Sequence, residues 1–233
     1  MATSGLARLL PLRSAPSGLA FSALGPRVTP RLRGMGRPGH LAITFDDGPD
    51  PEATPAVMAA LDAVGWRATF FVLGDMVERS PDLLGALVDA GHEVGVHAHR
   101  HRNHRSMSPR AIRDDVRRAH AIVVGAGARP VWYRPPHGAL TPEAHLTARR
   151  LGMRPVLWTA WGRDWRSGAS AEEIRDEVAQ GRLDGGTLLL HDSDCASEPG
   201  CWRATVAAIP LIADLAAAGG LSVGPLSTHG IRP

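Results

Sequence analysis

The chain is 233 residues long, 44% hydrophobic and 21% charged, with a net charge of +3. That composition is that of a soluble globular protein large enough for a real core, and no stretch approaches the roughly 18 apolar residues that a membrane-spanning helix needs. The charge is uneven: residues 1–40 hold six arginines and no acid, residues 41–233 hold 20 arginines against 23 acids, and lysine is absent.

Residues 1–39, rich in Arg, Pro, Gly and Ser, read as a basic N-terminal extension, disordered or loosely packed, ahead of a single domain over 40–233. Such an arm could meet nucleic acid or a membrane surface, but a plain solvated extension explains it as well, and no specific nucleic-acid partner is expected. The apolar run from Leu6 to Leu12 is interrupted by Arg8 and Pro11, which makes a poor secretory signal. A cytoplasmic location is the expectation, with export left open.

From Leu41 onward the chain alternates between two kinds of segment. Leu41 to Phe45 is a short apolar run, read as a buried strand, and it delivers Asp46, Asp47 and the breaker pair Gly48-Pro49. Val57, Leu61 and Val64 recur at helical spacing before Gly65, and the β-branched and aromatic run from Ala68 to Leu73 predicts a second strand. Ser80-Pro81 reads as an N-cap with proline at the first helical position, followed by Leu83, Leu84, Leu87 and Val88 on one face. His92 to Val96 predicts a third strand, and Ser108-Pro109 opens a helix ending near Gly125. Val131 to Tyr133, a helix from Thr141-Pro142 to Gly152, and a strand from Pro155 to Trp158 continue the pattern. Ser170 and Glu173 form a capping box; then come a strand over Thr187 to Leu190, a helix from Trp202 to Ala218, and a last strand at Leu221 to Val223.

Repeated βα units with near-continuous apolar strands predict a parallel sheet covered by helices, either open and doubly wound or closed as a barrel. No G-x-G-x-x-G turn follows a strand, so the nucleotide-binding version has no support. A barrel places functional groups just past the C-terminal ends of its strands. Here those positions hold Asp46-Asp47, the run His97 to His101, Arg134 to Gly138, Trp161 to Trp165, and His191-Asp192.

Two adjacent carboxylates resist joint ionisation unless a cation or an arginine compensates them. His97 and His101, four apart, can share one face and, with one carboxylate, form a two-His, one-Asp metal site with open positions. His99 and His104 compete as ligands, and a solvated His/Arg loop is the plain alternative. Cys195 and Cys201 could be bonded or free, and two cysteines cannot build a cysteine-rich metal site.

Five motifs stand in order: Thr44-Phe45-Asp46-Asp47-Gly48-Pro49, His97-x-x-x-His101, Arg134-Pro135-Pro136-x-Gly138, Asp164-Trp165 and Leu190-His191-Asp192. Over residues 40–226 the chain therefore resembles the NodB-type polysaccharide deacetylases, a carbohydrate esterase family with a distorted (β/α)7 barrel. The resemblance implies a divalent metal, zinc with cobalt, nickel or manganese as alternatives, held by Asp47, His97 and His101. It implies Asp46 as general base, His191 as the acid for the leaving amine, and Arg134 orienting Asp46. Asp164 would hold Arg134 or tune its neighbour, and the His137 backbone N–H would serve the oxyanion. Pro136, Trp165 and Leu190 would lie at the substrate face. Read from the residues themselves, Asp192 and Asp194 shape the loop behind His191, and Asp192 could also orient that imidazole.

Three positions depart from the family pattern: Ala98 where Ser or Thr is usual, His137 where Tyr is common, and Trp161 where many members carry an extra Asp. Trp158, Trp161 and Trp165 are either core or a stacking wall for a sugar ring. The implied activity is metal-dependent hydrolysis of a carbon–nitrogen bond other than a peptide bond. The expected partner is a small molecule or oligosaccharide bearing an N-acetyl or amide group, and the composition leaves the oligomeric state open. A non-sugar amide or cyclic imide is the rival substrate, and a metal-stabilised binding protein without turnover the rival class.

Overall fold

The computed structural model describes residues 30–231, so most of the basic extension, residues 1–29, lies outside the described residues. Among the described residues eight strands form one sheet with every pairing parallel. They are β1 (His40–Asp46), β2 (Thr69–Leu73), β3 (Glu93–Ala98), β4 (Trp132–Tyr133), β5 (Arg154–Pro155), β6 (Ala160–Trp161), β7 (Thr187–His191) and β8 (Ser222–Gly224). Their order is β5-β4-β3-β2-β1-β7-β6, with β8 beside the start of β1. The strands curl into a distorted, incompletely closed (β/α)7 barrel.

Among the described residues seven α-helices surround it: α1 (Ala53–Ala63), α2 (Gly74–Arg79), α3 (Pro81–Asp89), α4 (Pro109–Gly125), α5 (Pro142–Arg150), α6 (Ala171–Ala179) and α7 (Trp202–Ala218). Three start at the expected caps. Ser108 accepts from the Ala111 N–H, Thr141 from the Ala144 N–H, and Ser170 and Glu173 close a reciprocal capping box. Ser80 does not cap α3: its side chain makes no capping bond, and only Pro81 marks that start. The short α2 was not foreseen: it starts at Gly74 directly after β2, and its N-cap position is Leu73, which has no side chain able to cap it.

All seven residues of β1 and all five of β2 are buried, which is why both read as unbroken apolar runs. Their side chains Ile43, Phe45, Phe70 and Val72 meet Leu61 of α1, Leu84 and Leu87 of α3, Val116 of α4 and Ile209 of α7 in one core.

The strand expected at Pro155 to Trp158 is instead two short pieces. Its first part pairs with β4 and its second, shifted to Ala160–Trp161, pairs with β7. Between them the backbone finds other partners. The Leu157 N–H donates to the Leu32 carbonyl at 2.7 Å, and the Arg134 guanidinium donates to the carbonyls of Val156 and Leu157 at 3.4 and 3.0 Å. A buried side chain and the segment before β1 thus occupy the seam where a barrel would close on its own ladder. Residues 34–37 bond to the body as well: the Thr187 hydroxyl donates to the Gly34 carbonyl, and the Gly36 N–H to that of Gly185.

Candidate active site

The site is built at the C-terminal ends of β1, β3, β4 and β7. Asp46 ends β1, paired across to Phe71 and His191. Asp47 follows at φ 83°, a conformation that L side chains rarely adopt, so the chain swings sharply between the two carboxylates. The turn is held by Asp192, which accepts from the Gly48 N–H at 3.1 Å and from the Thr54 hydroxyl at 2.6 Å. A Cβ at Gly48 would run into that carboxylate, so the position needs glycine. Asp192 therefore braces the aspartate turn and does not orient His191, correcting one of the roles expected for it.

His97 is delivered by a bulge. Val72 pairs with Val96 and Leu73 with Ala98, leaving His97 as the extra residue of β3. Bulges re-aim a side chain in this way beside functional sites. Ala98, next in line, has φ 121° and no exposure. The His97 Nδ1 lies 2.8 Å from the Arg134 carbonyl and donates to it, which leaves the Nε2 lone pair facing inward. That Nε2 and the Nε2 of His101 each lie 3.4 Å from Asp47 Oδ1, a buried oxygen with no hydrogen-bond partner.

Burial drives the His101 imidazole down to about 3 and His97 well below its ordinary range, so both are neutral ligands at physiological pH. Burial pushes the Asp47 carboxyl up to about 7 against the nearby His191. Two neutral imidazoles and an unsatisfied carboxylate oxygen fit a divalent cation. A tetrahedral ion with bonds of about 2.1 Å places its ligands about 3.4 Å apart. Asp47, His97 and His101 are the one set of three such ligands brought together among the described residues. The two competing histidines point elsewhere: His104 faces the Tyr133 hydroxyl at 3.2 Å, and His99 packs against α2, where Gly74 leaves room for its ring.

Asp46 is compensated differently. Arg134, fully buried, donates to Asp46 Oδ1 at 2.7 Å and to the Thr44 hydroxyl at 2.8 Å, and its guanidinium lies 4.1 Å from the Phe71 ring centre. Burial raises the Asp46 carboxyl, and Arg134 opposes that rise. Asp164 does not hold Arg134. Its Oδ1 lies 2.8 Å from His191 Nδ1, while its Oδ2 accepts from the His191 N–H at 2.8 Å and from the Thr205 hydroxyl at 2.9 Å. Burial disfavours the charged His191, but Asp164, with Asp47 and Asp46, outweighs it and lifts the imidazole to about 10. Nδ1 is thereby engaged, and Nε2 is left for chemistry.

These groups open onto a pocket of about 320 Å³. His137, Trp158, Trp161 and Trp165 wall it, so the tryptophans form a partly exposed row and not core. Trp165 lies edge-on to His191 at 5.4 Å between ring centres, Trp161 follows at 5.3 Å and Trp158 at 6.2 Å. His137 has φ 56°, and its ring lies 4.3 Å from that of His101. Pro136 and Leu190, expected at the substrate face, are buried behind the surface, and Leu189 and His191 are the β7 residues that line the pocket. A one-residue alternation along a strand decides that difference. Thr205 and Leu189 were missed because an isolated Thr or Leu in an apolar segment carries no sequence signal, and Thr44 stood in the first motif without a role assigned to it.

Comparison with known proteins agrees with this architecture. The polysaccharide deacetylase family model matches residues 33–156. A peptidoglycan-N-acetylglucosamine deacetylase of Bacillus cereus is 35% identical over 154 residues, covering 65% of this chain and 72% of that protein. The corresponding enzyme of Listeria monocytogenes, PgdA, is 32% identical over 154 residues, but the chain spans only 32% of its length. Among solved structures, a family 4 carbohydrate esterase of Streptomyces lividans in complex with acetate superposes with a TM-score of 0.71 at 31% identity, covering 82% of this chain and 95% of that one. The chain belongs to the polysaccharide deacetylase family.

Proposed function

We propose that the protein removes the acetyl group from an N-acetylated sugar of an oligosaccharide or polysaccharide, with a divalent metal, zinc for preference, held by Asp47, His97 and His101. The carrying observation is the convergence of two neutral imidazoles on one unsatisfied, buried Asp47 oxygen beside an arginine-paired Asp46 and a protonated His191.

Hydrolysis of an amide needs an activated water, a polarised carbonyl and a protonated leaving nitrogen. The cation, when bound, supplies Lewis acidity and lowers the pKa of water from 15.7 towards about 7. Asp46, fixed by Arg134, takes the proton from the attacking water. His191, kept charged by Asp164, returns a proton from Nε2 to the departing amine. The His137 backbone N–H, on a turn with positive φ, serves the developing oxyanion, and the tryptophan row presents rings on which a pyranose can stack. Among the described residues no helix is long and apolar enough to cross a membrane, and Cys195 and Cys201 are unbridged. Free thiols suit a reducing compartment, and action in the cytoplasm belongs to this reading.

The test is turnover of N-acetylglucosamine oligomers and of simple amides by wild type, Asp46→Asn and His191→Ala, after chelation and metal add-back. Acetate release from the oligomers that depends on metal and vanishes in Asp46→Asn is expected. Release from simple amides alone would move the substrate class, and release that survives chelation would remove the metal.

A further inference from the structure

A second cavity, of about 360 Å³, continues from the active-site pocket and shares His137, Gly138, Trp158 and Trp161 with it. Its character is different. Arg33, Arg105 and Arg163 line it, against one acid, Glu177. Glu177 is already engaged by Arg163 at 3.6 Å and by Arg166 at 3.9 Å. Arg163 also lies over the Trp161 ring, 4.8 Å from its centre, at the step where the tryptophan row passes into the basic cavity. Arg33 has a buried Nη1 with no hydrogen-bond partner among the described residues. A guanidinium N–H buried without an acceptor is costly, and its fork geometry suits a carboxylate or phosphate. Residues 1–29 contain no Asp or Glu, so no side chain of that segment can supply the missing charge.

We infer that this cavity is an anion subsite: it takes a carboxylate or phosphate carried by the sugar chain beside the N-acetylated residue being processed. This rests on the deacetylase reading for its register. A neutral sugar would stack on Trp165 and Trp161 at the catalytic end, and the charged substituent would reach past Trp158 to Arg33 and Arg105. A charge-assisted, two-pronged contact of this kind gives both affinity and a fixed orientation. The inference makes the preferred substrate an acidic glycan.

The test uses the full metal-loaded chain and three oligomers of equal length: a neutral N-acetylglucosamine oligomer, one bearing a lactyl-ether carboxylate, and one bearing a reducing-end phosphate. For each, kcat/KM is measured at low and high salt, with direct calorimetric binding to the Asp46→Asn variant alongside. The wild type should favour one of the anionic oligomers at least tenfold, mostly through KM, with the preference fading in high salt. The anionic-to-neutral ratio should fall about tenfold in Arg33→Gln and measurably in Arg105→Gln, a loop variant that leaves the barrel seam intact. Which anionic oligomer wins tells carboxylate from phosphate. Equal kcat/KM and equal binding for all three, or a ratio unmoved by both substitutions, would overturn the subsite. Tight arginine-dependent binding of an anionic oligomer with no deacetylation of any would uphold the subsite and sink the deacetylase reading instead.

Discussion

On the β7 side of the pocket the Asp164 carboxylate is satisfied from within the fold. It holds His191 through two bonds and Thr205 through a third, and the result is an imidazole kept charged. Across the pocket, on the β1 and β3 side, Asp47 has the opposite status. It is as deeply buried, yet its Oδ1 meets only two imidazole nitrogens whose protons burial has removed. Both regions contain a carboxylate and histidine, and the hydrogen bonds around them decide the difference. A carboxylate supplied with donors tunes its histidine as an acid; one supplied with lone pairs needs a cation to complete it.

The largest effects should come from breaking the unfinished half. Asp47→Asn should abolish metal retention, read by elemental analysis after dialysis, and with it nearly all turnover. Metal at a hundred times its Kd should stabilise the wild type by about 2.7 kcal/mol against urea and leave Asp47→Asn unmoved. After chelation the variant should be no less stable than the wild type, because it removes a buried carboxylate lacking donors.

Breaking the finished half should spare the metal and cost the chemistry. His191→Ala should bind the ion normally and lose roughly 10²- to 10⁴-fold in kcat. Asp164→Asn removes the main support for the charged imidazole, so its pKa should fall from about 10 toward 6.5. An acid must be protonated to act, so the alkaline limb of the kcat profile should move to lower pH. Stability should shift in step. With a folded pKa above the unfolded value, His191 contributes fully below about 6.5 and loses that contribution as pH rises to about 10. The stability difference between chelated wild type and Asp164→Asn should therefore shrink across that window. An unchanged alkaline limb in the variant would mean that His191 is not the acid.

The smallest effect is a strain test in the unfinished half. Ala98, at φ 121° after the bulge, should tolerate glycine, and Ala98→Gly should gain about 1 kcal/mol in urea unfolding while leaving metal stoichiometry at wild type. A loss of stability would show that the bulge is held without strain.

The alternation of apolar runs with capped helices was enough to determine a parallel α/β sheet, because strands buried on both faces must be apolar throughout and helices must announce their ends. The order of Asp46, Asp47, His97, His101, Arg134, Asp164 and His191 along the chain likewise placed the reactive groups at one end of that sheet, since strand ends in a parallel sheet share a rim. Partnership was another matter. That Asp164 holds His191 and not Arg134, that Asp192 braces Gly48, and that the fifth strand breaks around the Arg134 guanidinium all depend on contacts between residues 22 to 144 positions apart. The pair Asp46-Asp47 shows the limit most sharply. Its residue types demand compensation, but only the left-handed turn at Asp47 decides that one carboxylate meets an arginine and the other two neutral imidazoles. Local propensity reads along the chain, whereas hydrogen bonds and burial act across it.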